Sequence, residues 1–126
     1  MNILITGIAG LLGSRLATWI LDNTEHNVTG IDNLSGGYIE NVDKRVDFYN
    51  IDLMDNFDQI DALFEEKQFD IVYHLAAYAA EGLSPFIRVF NYKNNLMSSV
   101  NLINNSIKYN VNRFVFTSSM AVYGGS

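Results

Sequence analysis

Three glycines stand at intervals of three in Gly7-Ile-Ala-Gly10-Leu-Leu-Gly13, directly after the apolar run Ile3-Leu4-Ile5 and before a segment with helical spacing. Glycine at the first position permits a tight turn, at the second it lets backbone approach a pyrophosphate, and at the third it lets a helix pack closely on a sheet. Asp32 follows Gly13 by nineteen residues, at the end of a second apolar run, Asn27-Val-Thr-Gly-Ile31. A carboxylate there accepts hydrogen bonds from adenosine ribose hydroxyls and repels a 2′-phosphate, so the pair predicts NAD in preference to NADP. Taken singly, the glycines fit ordinary turns and Asp32 a solvated loop acid; their joint placement around one strand–helix–strand unit favours the dinucleotide. Asp52-Leu53, after a third apolar run, is a weaker candidate for bracketing the adenine, because strand ends often carry solvated acids.

Other residue types narrow the chemistry. The chain has no Cys, hence no disulfide, no zinc-thiolate site and no thiolate nucleophile, and its two histidines, His26 and His74, are widely separated, so no metal site is expected. His74 reads as a satisfied strand-end histidine rather than an acid or base. Ser119, just after the last apolar run, reads as a turn hydroxyl or as a functional group at the ligand edge of the sheet. Asn95 lies in a helical segment, where Asn is disfavoured, which suggests a binding role.

The elements that must position these groups follow from periodicity. Strands are predicted at Ile3–Thr6, Asn27–Ile31, Val46–Tyr49, Asp70–Tyr73 and Arg113–Thr117. Leu12, Leu16, Trp19 and Ile20 give the apolar stripe of a helix over Leu11–Asp22. Asp55 is a candidate cap for a second helix, with Phe57, Ile60 and Phe64 on its apolar face. From Ser84-Pro85 a long helix carries Val89, Leu96, Val100, Ile103 and Ile107 on one face until Asn110. Alternating strands and helices predict an α/β protein with a Rossmann-type, doubly wound parallel sheet of five visible strands. Right-handed crossovers put Thr6, Asp32, Asp52, His74 and Ser118 along one edge of that sheet, where ligands bind in such folds.

At 126 residues the chain is expected to form one domain, 1–126. Its formal net charge of -6 argues against nucleic acid and anionic membrane surfaces as partners. It does not exclude an anionic cofactor, because backbone amides at a helix N-terminus supply a local positive field. No apolar run approaches the roughly 18 residues of a membrane span, and the N-terminus has no signal-peptide pattern, so a cytoplasmic location is expected.

The spacing Gly-x-x-Gly-x-x-Gly resembles that of the extended short-chain dehydrogenase/reductases, specifically the NAD-dependent epimerase/dehydratase family that acts on nucleotide sugars. Asp32-Asn-Leu-Ser-Gly-Gly37 is similar to the loop after the second strand in UDP-glucose 4-epimerases. His74-Leu-Ala-Ala77, Asn94-Asn95 and Thr117-Ser-Ser-Met-Ala-Val-Tyr-Gly124 resemble later segments of the same family, so the likeness runs almost the whole length of the chain. The resemblance implies that Gly7, Gly10, Leu11, Leu12 and Gly13 lie at the pyrophosphate. It puts Asp32, Asn33, Leu34, Ser35, Gly36, Gly37, Asp52 and Leu53 around adenosine, Leu75, Ala76, Ala77, Tyr78, Ala79 and Asn95 towards the nicotinamide, and Ser119 as the catalytic serine. It also implies a nucleotide-sugar substrate for the complete protein and a homodimer contact through the long helix 85–109.

In that family a Tyr, its pKa lowered by a Lys four residues later, takes the proton of a sugar hydroxyl while the same carbon gives hydride to NAD. None of the seven tyrosines here has Lys four positions on; Tyr109 meets Arg113, and Arg titrates too high to assist. The sequence therefore reads as an amino-terminal part, expected to be inactive alone and prone to self-association through an open fifth strand and an uncovered long helix. Two alternatives stand beside the epimerase: a non-catalytic NAD-binding module or pseudoenzyme, and a nucleotide-sugar 4,6-dehydratase or dehydrogenase. Met120-Ala121, where related dehydratases carry Asp-Glu, weighs against a dehydratase.

Overall fold

The computed structural model describes residues 1–34, 37–53, 56–75 and 85–116, with side chains described outside 85–96. The elements are β1 (Asn2–Thr6), α1 (Leu11–Asn23), β2 (Asn27–Asp32), a 3-10 turn (Ile39–Asn41), β3 (Asp47–Asn50), α2 (Phe57–Lys67), β4 (Ile71–His74), α3 (Pro85–Lys108) and β5 (Arg113–Phe116). The strands form one parallel sheet in the order β3-β2-β1-β4-β5. The chain steps outward from β1 to β3, then crosses back to β4. This reversal puts helices on both faces and leaves a crevice at the strand ends beside β1.

Period-2 alternation along β1 divides the core. Leu4 packs with Ile60, Leu63, Phe64, Val72 and Leu102 under α2 and α3, while Ile3 and Ile5 pack with Ala17, Ile20 and Val28 under α1. Burying each such Leu or Ile contributes roughly 1.5–3 kcal/mol, so the central strand anchors both layers. Phe64 meets Phe69 edge-on at 5.1 Å and 86° within the larger cluster. The third, fourth and fifth strands each fall within a residue of the segments expected from sequence.

The helices turn differently from the expected stripes. On α1 Ile20 is buried and Leu16 packs against the core, as expected, with Gly13 and Ala17 buried beside them, whereas Leu12 and Trp19 are 59% and 61% exposed. A Cβ at Gly13 would overlap the Gly7 carbonyl oxygen and lie 2.9 Å from its carbon, so the small-residue side must face the sheet and the large side chains turn away. On α2, Ile60 and Phe64 are buried as expected and Leu63 joins them, but Phe57, in the first turn, is exposed. Asp55 lies outside the described residues, and the residue capping α2 is Asn56. On α3, Val100, Ile103 and Ile107 do share a face with Met97, but that face is the outer one. Ser98, Ser99, Leu102, Asn105 and Ser106 face inward instead. Their polar groups are satisfied within the helix or across it: Ser106 Oγ donates to the Leu102 carbonyl at 2.7 Å, and Asn105 Nδ2 to the Asn101 carbonyl at 3.2 Å.

Candidate functional site

The chain leaves β1 through Gly7, whose φ of 73° is open to glycine at little cost. Its N–H donates to the Ile31 carbonyl at 2.9 Å, tying the turn to β2, and the Gly10 N–H returns to the Gly7 carbonyl at 3.1 Å. α1 then opens. The Ser14 N–H donating to the Gly10 carbonyl, at 3.0 Å, is its first helical bond. The amides of Leu11, Leu12 and Gly13 precede any intrahelical acceptor. Gly10 caps without a side chain, no acid occupies the first turn, and Leu11 and Leu12 are exposed. The positive end of the helix dipole thus faces outward at the C-terminal edge of the sheet, with nothing of the opposite charge on its own first turn.

Beside it stands Asp32, half-buried at the last position of β2. Its Oδ2 accepts the Ala9 N–H at 2.9 Å and its Oδ1 accepts the Leu34 N–H at 2.8 Å. Each carboxylate oxygen carries a second lone pair, so Asp32 is fixed in orientation and keeps acceptor capacity for another donor. Leu34 itself has φ 64°, the left-handed region, which costs a non-glycine residue roughly 1–2 kcal/mol and is held here by the bond to Asp32. Gly37 follows against the Ala9 backbone, and the Ile51 N–H donates to the Asp32 carbonyl at 3.3 Å, which brings the exit of β3 alongside.

At the other end of the crevice lies a buried polar chain. The Leu75 N–H donates to Thr6 Oγ1 at 3.1 Å, Thr6 Oγ1 lies 2.7 Å from His74 Nδ1, and His74 Nε2 lies 3.0 Å from Ser99 Oγ. All hydrogens are accommodated when Thr6 donates to Nδ1 and the ring N–H is on Nε2, donating to Ser99. Burial, with the rings of Phe114 and Phe116 nearby, pushes the His74 pKa down to about 4, so the ring is neutral near pH 7. It joins β1, β4 and α3 as a structural hydrogen-bond bridge.

Gly7, Gly10, Leu11, Leu12, Gly13, Asp32, Asn33, Leu34 and Gly37 therefore converge on the mouth of α1 between β1 and β2. Asp52 follows β3 next to them, with its carbonyl held by Asn56 Nδ2 at 3.0 Å, but the Leu53 side chain is buried in the core under α2. Leu75 sits at the β4 exit, and Asn95 falls within α3, where side chains before Met97 lie outside the description. Ser35, Gly36, Ala76, Ala77, Tyr78, Ala79 and Ser119, together with Ser118, lie outside the described residues. Among the described residues no group of His, Cys, Asp and Glu is assembled for a metal.

Sequence reasoning passed over the pairing of His74 with Thr6 and Ser99, and the parts played by Gly30 and Asn41. Thr6 and Ser99 are too far from His74 in sequence to be paired by inspection. Gly30, inside β2, leaves the seat into which fully buried Ile8 fits: a Cβ there would fall 2.5 Å from Ile8 Cγ1. An isolated glycine within a strand is a recognised sign of such close approach, so this signal was present. Asn41 reaches back to the Ala9 carbonyl at 3.2 Å, and no local pattern announces it.

A parallel sheet wound on both faces, with a glycine turn opening α1 beside an acid at the end of β2, defines a Rossmann-type α/β protein. The chain belongs to the NAD dependent epimerase/dehydratase family, whose pattern matches residues 3–126. It is 37% identical over 139 residues to the UDP-glucose 4-epimerase of Caenorhabditis elegans, covering 98% of this chain and 39% of that one. The UDP-glucose 4-epimerase of Bacillus subtilis is 36% identical over 131 residues, with 98% and 38% covered. Among solved structures, the Thermotoga maritima UDP-glucose 4-epimerase with UDP-glucose superposes with a TM-score of 0.87 at 35% identity, covering 94% of this chain and 38% of that one. The Thermus thermophilus UDP-glucose 4-epimerase in complex with NAD gives 0.85 at 34% identity, covering 94% and 38%. The chain thus spans about two-fifths of the length of the curated relatives it matches.

Proposed function

We propose that this chain is the NAD-binding part of a nucleotide-sugar epimerase. One observation carries the reading most: the Asp32 carboxylate accepts the Ala9 amide of the glycine turn, so the acid and the phosphate-facing helix mouth form one unit. The residues present fit the cofactor. Free first-turn amides suit a pyrophosphate, and an anchored carboxylate with spare lone pairs suits the adjacent ribose hydroxyls and disfavours a 2′-phosphate. Asp52 and the Leu53 backbone take the adenine side, Leu75–Ala79 and Asn95 the nicotinamide side, and Ser119 the substrate hydroxyl. NAD bound there supplies a reversible hydride acceptor.

The nucleotide-sugar substrate, cytoplasmic location and a dimer through the outer face of α3 belong to the same proposal. Among the described residues no helix is long and apolar enough to cross a membrane. The Tyr-x-x-x-Lys pair of the family is absent from these residues. The reaction is accordingly assigned to a protein of the relatives' length, and this chain alone binds NAD without turnover.

Calorimetric titration of NAD and NADP into the wild-type chain and into Asp32→Ala and Asp32→Asn tests the assignment. A charged hydrogen-bond partner is worth about 1.5–3 kcal/mol, so Asp32→Ala loses roughly 10- to 150-fold in NAD affinity. Asp32→Asn, which removes the repelling charge, narrows the NAD/NADP ratio. Undetectable NAD binding by the wild type, or equal affinity in Asp32→Ala, overturns the reading.

A further inference from the structure

Ala9 is gripped on both sides of its residue. Its N–H goes to Asp32 Oδ2 at 2.9 Å, and its carbonyl receives two donors from the segment after β2, the Tyr38 N–H at 3.3 Å and Asn41 Nδ2 at 3.2 Å. Between them Gly37 lies so close that a Cβ would overlap the Ala9 carbonyl oxygen, sit 2.6 Å from its carbon and 3.0 Å from the Gly10 nitrogen. Asn41 is exposed and belongs to neither core cluster, so packing does not account for its amide. Ala9 itself is fully buried.

We propose that Asn41 and Gly37 are positioning residues, which clasp the loop after β2 onto the glycine turn through Ala9 and hold the ribose-facing acid at a fixed distance from the phosphate-facing amides. The inference rests on the NAD reading above; it adds Asn41 to that site and gives Gly37 a steric role within it. A ligand that spans two loops must order both on binding, and a clasp made in the free protein removes that cost in advance. The left-handed Leu34 shows how tightly the loop is turned at its start. Tyr38 and Asn41 secure its far end on the same residue that Asp32 holds.

The test is titration of NAD and of ADP-ribose, which keeps adenosine and pyrophosphate but lacks nicotinamide, into the wild type, Asn41→Ala, Asn41→Asp and Gly37→Ala, with ligand-free melting temperatures measured alongside. Losing one neutral hydrogen bond weakens binding roughly 3- to 10-fold. Asn41→Ala shows that factor equally for both ligands, and its ligand-free melting temperature falls by no more than the few degrees that one hydrogen bond of about 1 kcal/mol accounts for. Asn41→Asp, isosteric but facing a carbonyl with an acceptor, is at least as weak. Gly37→Ala is weaker than either. Unchanged affinity in Asn41→Ala, retained affinity in Asn41→Asp, or a ligand-free melting temperature that falls by more than one hydrogen bond accounts for overturns the clasp. Absence of binding by the wild type overturns the NAD reading itself, a result distinct from a wild type that binds and variants that bind equally.

Discussion

The two ends of the crevice are built on opposite principles. Between β1 and β2 main chain approaches main chain where Gly13 and Gly37 lack side chains, Gly30 makes room for the Ile8 side chain, and the Asp32 carboxylate is anchored at the rim. Between β4 and α3 the contacts are side chain to side chain, a neutral His74 between two hydroxyls in a site closed to water. The first end is suited to a charged ligand that approaches main chain closely. The second is suited to holding elements in register with no charge at all. A close-packed end fails by steric overlap and a polar bridge fails by protonation, so different perturbations separate them.

The largest effect is expected at the close-packed end. In Gly13→Ala the new methyl meets main-chain atoms of Gly7 and Ile8, which cannot swing aside as a side chain would. Stability falls by roughly 3 kcal/mol or more in chemical denaturation. Gly10→Ala, whose Cβ would lie 3.3 Å from the Gly7 oxygen, loses much less. If the two substitutions prove equally mild, α1 does not sit as close to the sheet as the geometry requires.

The polar end is probed by acid. Because the folded pKa of His74 is depressed to about 4 from 6.5, the unfolded chain binds the extra proton between those values. Stability is full above pH 6.5 and declines by about 3 kcal/mol as pH falls to 4. Asp61, held below the usual carboxylate range by Lys108 and Tyr109, contributes in a lower window, since its stabilisation is present above its unfolded value and is lost only as pH falls further. Urea melts at pH 7, 5.5 and 4.5 measure the slope, and His74→Gln flattens it. A slope unaltered in His74→Gln would assign the acid sensitivity to other groups.

This contrast also explains what could be read in advance. The sheet, its strand positions and the tight glycine turn opening α1 beside Asp32 were legible because short apolar runs, a glycine triplet and Asp32 are local signals with fixed spacing. Which side of each helix faces inward was not. Leu12 and Trp19 were expected against the sheet from their hydrophobicity, yet Gly13 and Ala17 face it, because close approach outweighs side-chain apolarity at that contact. On α3 the inward side is set by Ser99 bonding a histidine 25 residues away and by Leu102 filling the core, and neither follows from periodicity.

The smallest effect on stability is expected on the outer face of α3, where Ile107 is 72% exposed and Val100 48%. Among the described residues β5 is a sheet edge, so two surfaces compete to drive self-association: an unpaired strand and an apolar helix stripe. Val100→Lys with Ile107→Lys changes stability within about 0.5 kcal/mol, because the replaced side chains are largely in solvent already. If the stripe is the contact, sedimentation velocity shows a concentration-dependent species for the wild type and a monomer for the double variant. Association that survives both lysines moves the contact to β5, where main-chain hydrogen bonds would be indifferent to charge on the helix. A wild type that remains monomeric at high concentration removes both surfaces as drivers, leaving the outward turn of α3 a consequence of its inward polar bonds alone.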